Sequence, residues 1–336
     1  MNPVDVMNLV SFGTNVYLCM KLTQLHLMYK DFRDGKTKYF ITDLNGEFKD
    51  GSEAILQPPK VHAAAMGKIF NFTRSNEKGE AQVNASGFLG NNPKYEDKIV
   101  HTYEYDKHLA WGSVLRNGIL PDCSVEPKRN TFVNENEIGF LKSGDLQTGD
   151  ICVFDGWADY VFPVYKQTQK QKDYLDRLNE KINSTTGLER QNWKNRINHF
   201  IGTLQNKSAF VRVAIISQSN KEIQDLKKKY KNEFVFSVTD SFGSTIRLPE
   251  LEATDPRAFG GWALKRDGLL LTKGLNRFWL DDDGCILETS WRGMPQAYLV
   301  GKHYTEIPAI CRNPDHNLYR YDIKLNKVVL NDGTTN

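Results

Sequence analysis

The stretch PVYKQTQKQKDYLDRLNEKINSTTGLERQNWKNRINHFIGTLQNK, residues 163–207, interrupts a chain whose patterning is otherwise mainly that of β-structure. It is rich in charged residues, Gln and Asn. Its apolar residues recur at helical spacing in Gln167–Ile182 and again in Leu188–Leu204, with the polar residues 183–187 between them. Two amphipathic segments joined by a short polar loop predict an antiparallel helical hairpin, inserted at about residues 166–206.

Each helix of this hairpin has one narrow apolar stripe, which predicts that the hairpin projects from the body and is solvated on several sides. The two stripes consist of Tyr174, Leu178 and Ile182, and of Trp193, Ile197 and Ile201. If the stripes face each other, Trp193 is the largest side chain in the seam between the helices. If Trp193 faces outward, it is an anchor for a partner, because Trp is favoured at binding hot spots.

The segments on either side of the insertion indicate further elements. Apolar spacing over Pro3–Phe32 predicts an N-terminal helical segment, with a strand as the alternative. The apolar run Ala209–Ile216 predicts a strand. A helix over Lys221–Tyr230 and a strand over Glu233–Val238 would follow it, which gives a local β-α-β order.

These patterns predict an α+β fold, with a mainly antiparallel β body, an N-terminal helical segment and the inserted αα-hairpin. We expect three regions along the chain. Residues 1–150 form an N-terminal α+β region, residues 151–240 a β-rich region that carries the hairpin, and residues 241–336 a β-rich C-terminal region.

Composition restricts the class of protein. The 336 residues are 40% apolar and 25% charged, with a formal net charge of +3, as in ordinary soluble globular proteins. The two signs are well mixed, so no global basic field points to nucleic acid or to a membrane. Neither a span of about 20 apolar residues nor a signal peptide is recognisable, which predicts a cytoplasmic protein or a particle assembled in the cytoplasm. The five Cys form no CxxC pair, which argues against a zinc site and against a disulfide framework.

The clearest basic run is Lys227–Lys231, which includes Lys227, Lys228 and Lys229. It is typical of the solvated face of a helix. The alternative is a patch that contacts phosphate groups.

One cysteine motif is a candidate for catalysis. The tripeptide Asp-Cys-Ser at 122–124, followed by the strand-like residues 149–154, loosely resembles papain-like peptidoglycan hydrolases of the NlpC/P60 type. The resemblance implies a thiolate at a helix N-terminus and a His that takes its proton. Pro127 argues against that helix, and residues 158–161, where the His would fall, contain none. We therefore predict that Cys123 is structural.

Two acidic clusters could hold a metal ion. Asp281, Asp282 and Asp283 follow a strand-like run, as in the DxD site of glycosyltransferases, and clustered oxygens suit Mg²⁺ or Mn²⁺. The alternative is a hairpin turn at Asp281–Gly284, because the strand pattern resumes directly after Gly284.

The second acidic candidate consists of Asp315, Asp322 and Lys324, whose residue types match the PD-(D/E)xK nuclease motif. The spacing is shorter than is usual in that family. The alternative is a surface hairpin, since Tyr319–Leu325 also has the pattern of one strand.

The seven His show no metal-binding spacing. His101 and His108 flank Tyr103, Tyr105 and Asp106, a polar and aromatic cluster that could lie at a ligand pocket. The alternative is hydrogen-bonded or surface His. No GxGxxG or Walker loop is present, so nothing predicts dinucleotide or NTP binding.

The sequence therefore predicts a non-enzymatic binding or assembly protein, which acts through protein–protein contacts or self-assembly. Frequent Asn and Lys with few Ala are common in AT-rich microbial and bacteriophage genomes, so a phage or mobile-element origin is expected. Nucleic acid is a weaker candidate partner, and no membrane is expected. The alternative function is a metal-dependent enzyme acting on phosphodiesters or nucleotide sugars, and Mg²⁺ or Mn²⁺ is expected only in that case.

Overall fold

The computed structural model describes residues 16–21, 24–30, 37–42, 59–72, 89–146, 148–205, 207–274, 276–290, 299–307, 319–322 and 327–330. The helices are α1 (Pro59–Gly67), α2 (Ala110–Asn117), α3 (Gln169–Ser184), α4 (Gly187–Leu204), α5 (Ala209–Lys229) and the short α6 (Pro249–Glu252). The strands are β1 (Val16–Lys21), β2 (Gln24–Lys30), β3 (Thr37–Thr42), β4 (Leu89–Asn91), β5 (Ile99–Lys107), β6 (Leu120–Pro121), β7 (Lys128–Val133), β8 (Glu137–Phe140), β9 (Cys152–Val153), β10 (Gly156–Tyr165), β11 (Phe234–Val238), β12 (Ser241–Ser244), β13 (Trp262–Lys273), β14 (Asn276–Leu280), β15 (Ile286–Ser290), β16 (Tyr319–Asp322) and β17 (Lys327–Leu330).

The predicted fold class is confirmed, because helices occur together with antiparallel sheets. The helical prediction near the N-terminus is wrong where the structure describes it. There β1, β2 and β3 form an antiparallel sheet, with Val16 opposite Tyr29 and Leu25 opposite Thr42. In a strand, every second residue faces the same way, so the apolar residues that matched a helical period also satisfy a period of two. The earlier part of the predicted helix, Pro3–Asn15, lies outside the described residues.

The chain divides into two compact units. The first comprises residues 1–56, 91–102 and 267–336, and the second comprises residues 57–90 and 103–266. The division into regions at 150 and 240 stays a prediction.

In the first unit, β13, β14 and β15 pair antiparallel, with Leu269 opposite Leu280 and Phe278 opposite Thr289. The predicted turn at Asp281–Gly284 connects β14 and β15. Leu271, Phe278, Leu280, Ile286, Leu299 and Ile307 form the buried cluster of this unit.

In the second unit, the helical hairpin is confirmed but it does not project. Leu178 and Ile182 of α3, and Ile197, Phe200 and Ile201 of α4, are at most 3% exposed. They belong to the same hydrophobic cluster as the sheet of β6, β8 and β10. A Thr168 capping box begins α3, because the Thr168 hydroxyl accepts the Gln171 N–H while the Gln171 side chain accepts the Thr168 N–H. The apolar side chains of the hairpin therefore form part of the hydrophobic core of this unit.

The predicted strand at Ala209–Ile216 is wrong, because these residues form the first two turns of α5. Phe210 lies between the rings of Phe140, Tyr160 and Phe162, with centroids 5.0, 5.4 and 4.8 Å away. A short apolar run does not distinguish a buried strand from a buried helix, since all sides are covered in both cases. The predicted helix at Lys221–Tyr230 is the continuation of α5, so the β-α-β order is also wrong.

Within the described residues, no helix combines the length and the apolarity that crossing a membrane requires.

Candidate functional site

Two acidic residues lie near each other at the ends of adjacent antiparallel strands of the second unit. Asp106 is the penultimate residue of β5, and Asp240 lies in the two-residue turn that joins β11 to β12. Ser241 is directly opposite Asp106, and its Oγ donates a hydrogen bond to Asp106 Oδ1 at 2.7 Å. The Lys107 N–H donates to the Asp240 carbonyl oxygen at 2.8 Å. The pairing of β5 with β12 therefore places the two acidic residues side by side.

The turn that carries Asp240 is strained. Thr239 has a φ of 52°, although two-residue turns of this kind usually place Gly at a positive φ. A left-handed conformation of a non-glycine residue costs on the order of 1–3 kcal/mol and occurs preferentially at functional sites. The Thr239 hydroxyl lies 2.7 Å from Asp240 Oδ1 and donates to it, so the strained residue also orients the carboxylate.

The two carboxylates repel each other. Burial raises the pKa of Asp240, and the negative charge of Asp106 raises it further. The hydrogen bond from Thr239 and the positive charge of Lys194 lower the same pKa but do not compensate. A carboxylate pair of this kind is stabilised either by a proton or by a bound cation.

Two cationic side chains of α4 act on this region, Lys194 on both Asp240 and His108, and Arg190 on His108. Arg190 and Lys194 are one turn apart, so they lie on the same face of that helix. Burial lowers the pKa of His108, the charges of Lys194 and Arg190 lower it further, and the charge of Asp106 raises it. His108 therefore lies within electrostatic reach of both Asp106 and the basic face of α4.

A hydrogen bond to Asn179 of α3 defines the tautomer of His108. The Asn179 Nδ2 donates to the Arg257 carbonyl oxygen at 2.8 Å, which turns its Oδ1 toward His108 Nε2, also at 2.8 Å. Because Oδ1 only accepts, His108 Nε2 carries the proton. This bond connects the end of β5 to the helical hairpin.

The arrangement suits a divalent cation and phosphate groups. Carboxylate oxygens are the ligands that Mg²⁺ and Mn²⁺ prefer, and a cation would remove the repulsion that raises the pKa of Asp240. Basic side chains opposite the pair suit the phosphate oxygens of a substrate. Among the described residues, no group of three or more His, Cys, Asp or Glu side chains could hold a metal. The protein thus offers two ligands, and the remaining positions would be left for water and substrate.

The acidic residues singled out from the sequence lie elsewhere. Asp281 Oδ1 accepts the N–H groups of Asp283 and Cys285 at 3.1 and 2.7 Å, as expected of a residue that closes the turn between β14 and β15. Asp322 ends β16 with Lys327 opposite it. Asp315 and Lys324 lie outside the described residues. A metal or catalytic role for these residues stays a prediction.

The cysteine at the hydrolase-like motif has no thiolate character. Burial, followed by the charge of Asp122, raises the pKa of Cys123 to about 12. Burial raises the pKa of Cys152 to about 12 as well. A catalytic Cys requires the opposite shift, so this geometry agrees with the structural role predicted for Cys123.

The candidate interaction residues lie on α4 and α5. Trp193 is partly buried against the core, and the guanidinium of Arg196 lies 4.1 Å from its ring centroid. The last turn of α5 contains Lys227, Lys228 and Lys229, and the helix dipole stabilises positive charges at this end of a helix. Lys229 pairs with Glu250 at 2.7 Å. A binding role for these residues stays a prediction.

Sequence reasoning noticed the cluster around Asp106 and His108 but missed Asp240, Arg190 and Lys194. Asp106 and Ser241 are separated by 135 positions, and no local spacing connects them. The residues at 239–241, Thr-Asp-Ser, have the composition of any polar turn. The available signal was a polar turn between two strand-like runs, Phe234–Val238 before it and Ser241–Ser244 after it.

No protein-family model and no curated protein matches the chain. Among solved structures it is similar to Phi29 DNA polymerase complexed with single-stranded DNA, with a TM-score of 0.50 and 14% identity over 74% of this chain and 60% of that chain. It is also similar to the orthorhombic crystal form of Phi29 DNA polymerase, with a TM-score of 0.49 and 14% identity over 73% of this chain and 60% of that chain. The chain thus spans about 60% of the length of the polymerase. At this identity the first likeness shows a shared fold.

The prediction of a non-enzymatic binding or assembly protein is wrong. The chain shares its fold with a DNA polymerase that was solved in complex with single-stranded DNA. The assembly prediction also required a projecting hairpin, whereas α3 and α4 contribute their apolar side chains to the core.

Proposed function

We propose that this chain acts on nucleic acids as a metal-dependent nucleotidyl-transferring enzyme, with Asp106 and Asp240 as the protein ligands of a divalent cation. The observation that carries the proposal is the proximity of these two acidic residues at the end of β5 and in the β11–β12 turn, with Lys194 of α4 near Asp240 and Arg190 near His108. The shared fold with a DNA polymerase supports the same class of substrate.

The cation, when bound, supplies neutralisation of the charge that phosphate oxygens carry during phosphoryl transfer. The residues of the chain bind and orient the substrate. Arg190 can grip a phosphate with two parallel hydrogen bonds, and Lys194 offers a compact charge beside it. His108, neutral and hydrogen-bonded to Asn179, fixes the position of the hairpin relative to the carboxylates.

The helical hairpin has the charge that a nucleic-acid contact needs. Residues 166–207 contain nine Lys or Arg against four Asp or Glu, whereas the whole chain is nearly balanced. Neutralisation of phosphates by such side chains releases counterions, so binding should weaken steeply as salt rises.

The test is extension of a labelled primer on a DNA template by the full chain, with deoxynucleoside triphosphates and Mg²⁺ or Mn²⁺. We expect extension that EDTA abolishes and that Asp106→Asn or Asp240→Asn reduces to background. The matched control is the double variant Asp281→Asn/Asp283→Asn, which removes two carboxylates of the first unit and should extend like the wild type.

Direct binding measurements complete the test. The wild type should bind Mn²⁺ in a titration, and Asp106→Asn should not. Lys194→Ala should weaken binding of single-stranded DNA and reduce the dependence of that binding on salt by about one counterion. A wild type that binds neither Mn²⁺ nor DNA would refute the proposal, and so would unchanged extension by the Asp240→Asn variant.

A further inference from the structure

Lys107 is a buried cation next to the carboxylate pair. It is the last residue of β5, directly after Asp106, and it is only 6% exposed. Its ammonium donates a hydrogen bond to the carboxylate of Glu222 on α5. The ring of Trp262 lies 6.0 Å from the same ammonium. Removing the Lys107 charge from water is unfavourable, and its attraction to the half-exposed Glu222 offsets that cost only in part, so the pair adds little stability by itself.

The backbone around Lys107 shows what the pair holds in place. The Lys107 N–H donates to the Asp240 carbonyl oxygen at 2.8 Å, so one residue contacts both the acidic turn and α5. The His108 N–H donates to the Gly261 carbonyl oxygen at 2.7 Å, and the Gly260 N–H donates to the His108 carbonyl oxygen at 2.8 Å. The end of β5 is therefore held from three directions.

Side-chain alternation separates the charge of Lys107 from the cation site. Successive residues of a strand point to opposite faces, so the Lys107 ammonium is directed toward α5 and away from the face on which Asp106 lies. The ammonium is therefore engaged by Glu222 and directed away from the Asp106 carboxylate. The pair of Lys107 with Glu222 connects the end of β5 to α5.

We propose that Lys107, through Glu222, is a positioning residue that sets the separation of the Asp106 and Asp240 carboxylates for cation binding. This inference rests on the proposed function. Glu222 also lines a cavity of about 720 Å³ beside α5, and its side chain is 42% exposed, so this partner can be changed from the solvent side with little effect on packing.

The test compares Mn²⁺ affinity in titrations of the full chain. Lys107→Met keeps the length of the side chain and removes the charge, and Glu222→Gln removes the charge of the partner. Loss of an outer-shell partner typically weakens metal binding by about 10- to 100-fold, and we expect about tenfold or more for both variants. The charge-swapped variant Lys107→Glu/Glu222→Lys should recover most of the affinity.

The matched control is Glu250→Gln, because Glu250 of α6 forms another Lys–Glu pair with α5, through Lys229 at 2.7 Å, two helical turns beyond Glu222. It should bind Mn²⁺ like the wild type. If Lys107→Met does not fold, Glu222→Gln decides the outcome. A folded Glu222→Gln variant with wild-type Mn²⁺ affinity would overturn the positioning role and leave the proposed function intact. A wild type that binds no Mn²⁺ would overturn both.

Discussion

Phe200→Ala tests whether the helical hairpin is part of the core of the second unit. The Phe200 side chain is 3% exposed, and its ring centroid lies 5.9 Å from that of Phe70 and 6.2 Å from that of Phe72. Truncation of a buried Phe costs about 3–5 kcal/mol, from lost burial and from the cavity that remains. A unit of this size changes its melting temperature by about 2–4 °C per kcal/mol, so we expect a decrease on the order of 6–20 °C.

The assay combines thermal unfolding for the melting temperature, denaturant unfolding for the free energy of unfolding, and amide hydrogen exchange for local protection. If the core is shared, protection should fall in α5 and β10 as well as in the hairpin, because these elements belong to one cluster. The control is Asn198→Ala, an exposed position on the same helix, where a change within about 0.5 kcal/mol is expected. A loss of less than about 1 kcal/mol, or a loss of protection confined to residues 166–206, would refute the shared core.

Two further predictions concern titratable groups. Burial and the charge of Asp106 raise the pKa of Asp240, so the folded state binds a proton more readily than the unfolded state. The stability of the fold therefore decreases as pH rises from the unfolded pKa of about 4 through the higher folded pKa. In EDTA at neutral pH, Asp240→Asn should therefore be more stable than the wild type, with an advantage that shrinks toward pH 4. An equal or lower stability of the variant at neutral pH would contradict the repulsion. Because burial raises the pKa of Cys123 to about 12, alkylation mapped by mass spectrometry at pH 8 should be much slower at Cys123 in the native than in the denatured chain. Equal rates would show an accessible thiol.

The hairpin and the turn at Asp281–Gly284 could be predicted from sequence because their signals are local. Helical spacing over Gln167–Ile182 and Leu188–Leu204 is sustained for four turns, and the acidic turn lies between two strand-like runs. The strand prediction at Ala209–Ile216 was wrong because the surroundings decide between the two conformations. A run in which seven of eight residues are apolar satisfies a mostly buried helix as well as a central strand.

The candidate site could be predicted only in part. Asp106 and His108 lie close together in sequence, and their polar and aromatic neighbours indicated a pocket. Asp240 has no such signal, because its partner Asp106 is brought beside it only by the pairing of β5 with β12. Arg190 and Lys194 are two of the three Lys or Arg residues of α4, and no local pattern separates them from the third. Long-range strand register and helix packing, which no local pattern encodes, assemble the site.

Local energetics distinguish the proposed cation ligands from Asp281. The Asp281 carboxylate accepts two backbone N–H groups within its own turn, so its position is explained by the hairpin that it closes. Asp240 has the opposite character, because it follows a strained Thr239, and its pKa is raised by burial and by a second carboxylate. The buried charge of Lys107 adds a third unfavourable feature at the same strand end. A bound cation would relieve the repulsion between the two acidic residues, which the fold by itself leaves uncompensated. The proposed assignment of the site therefore has support within the chain itself.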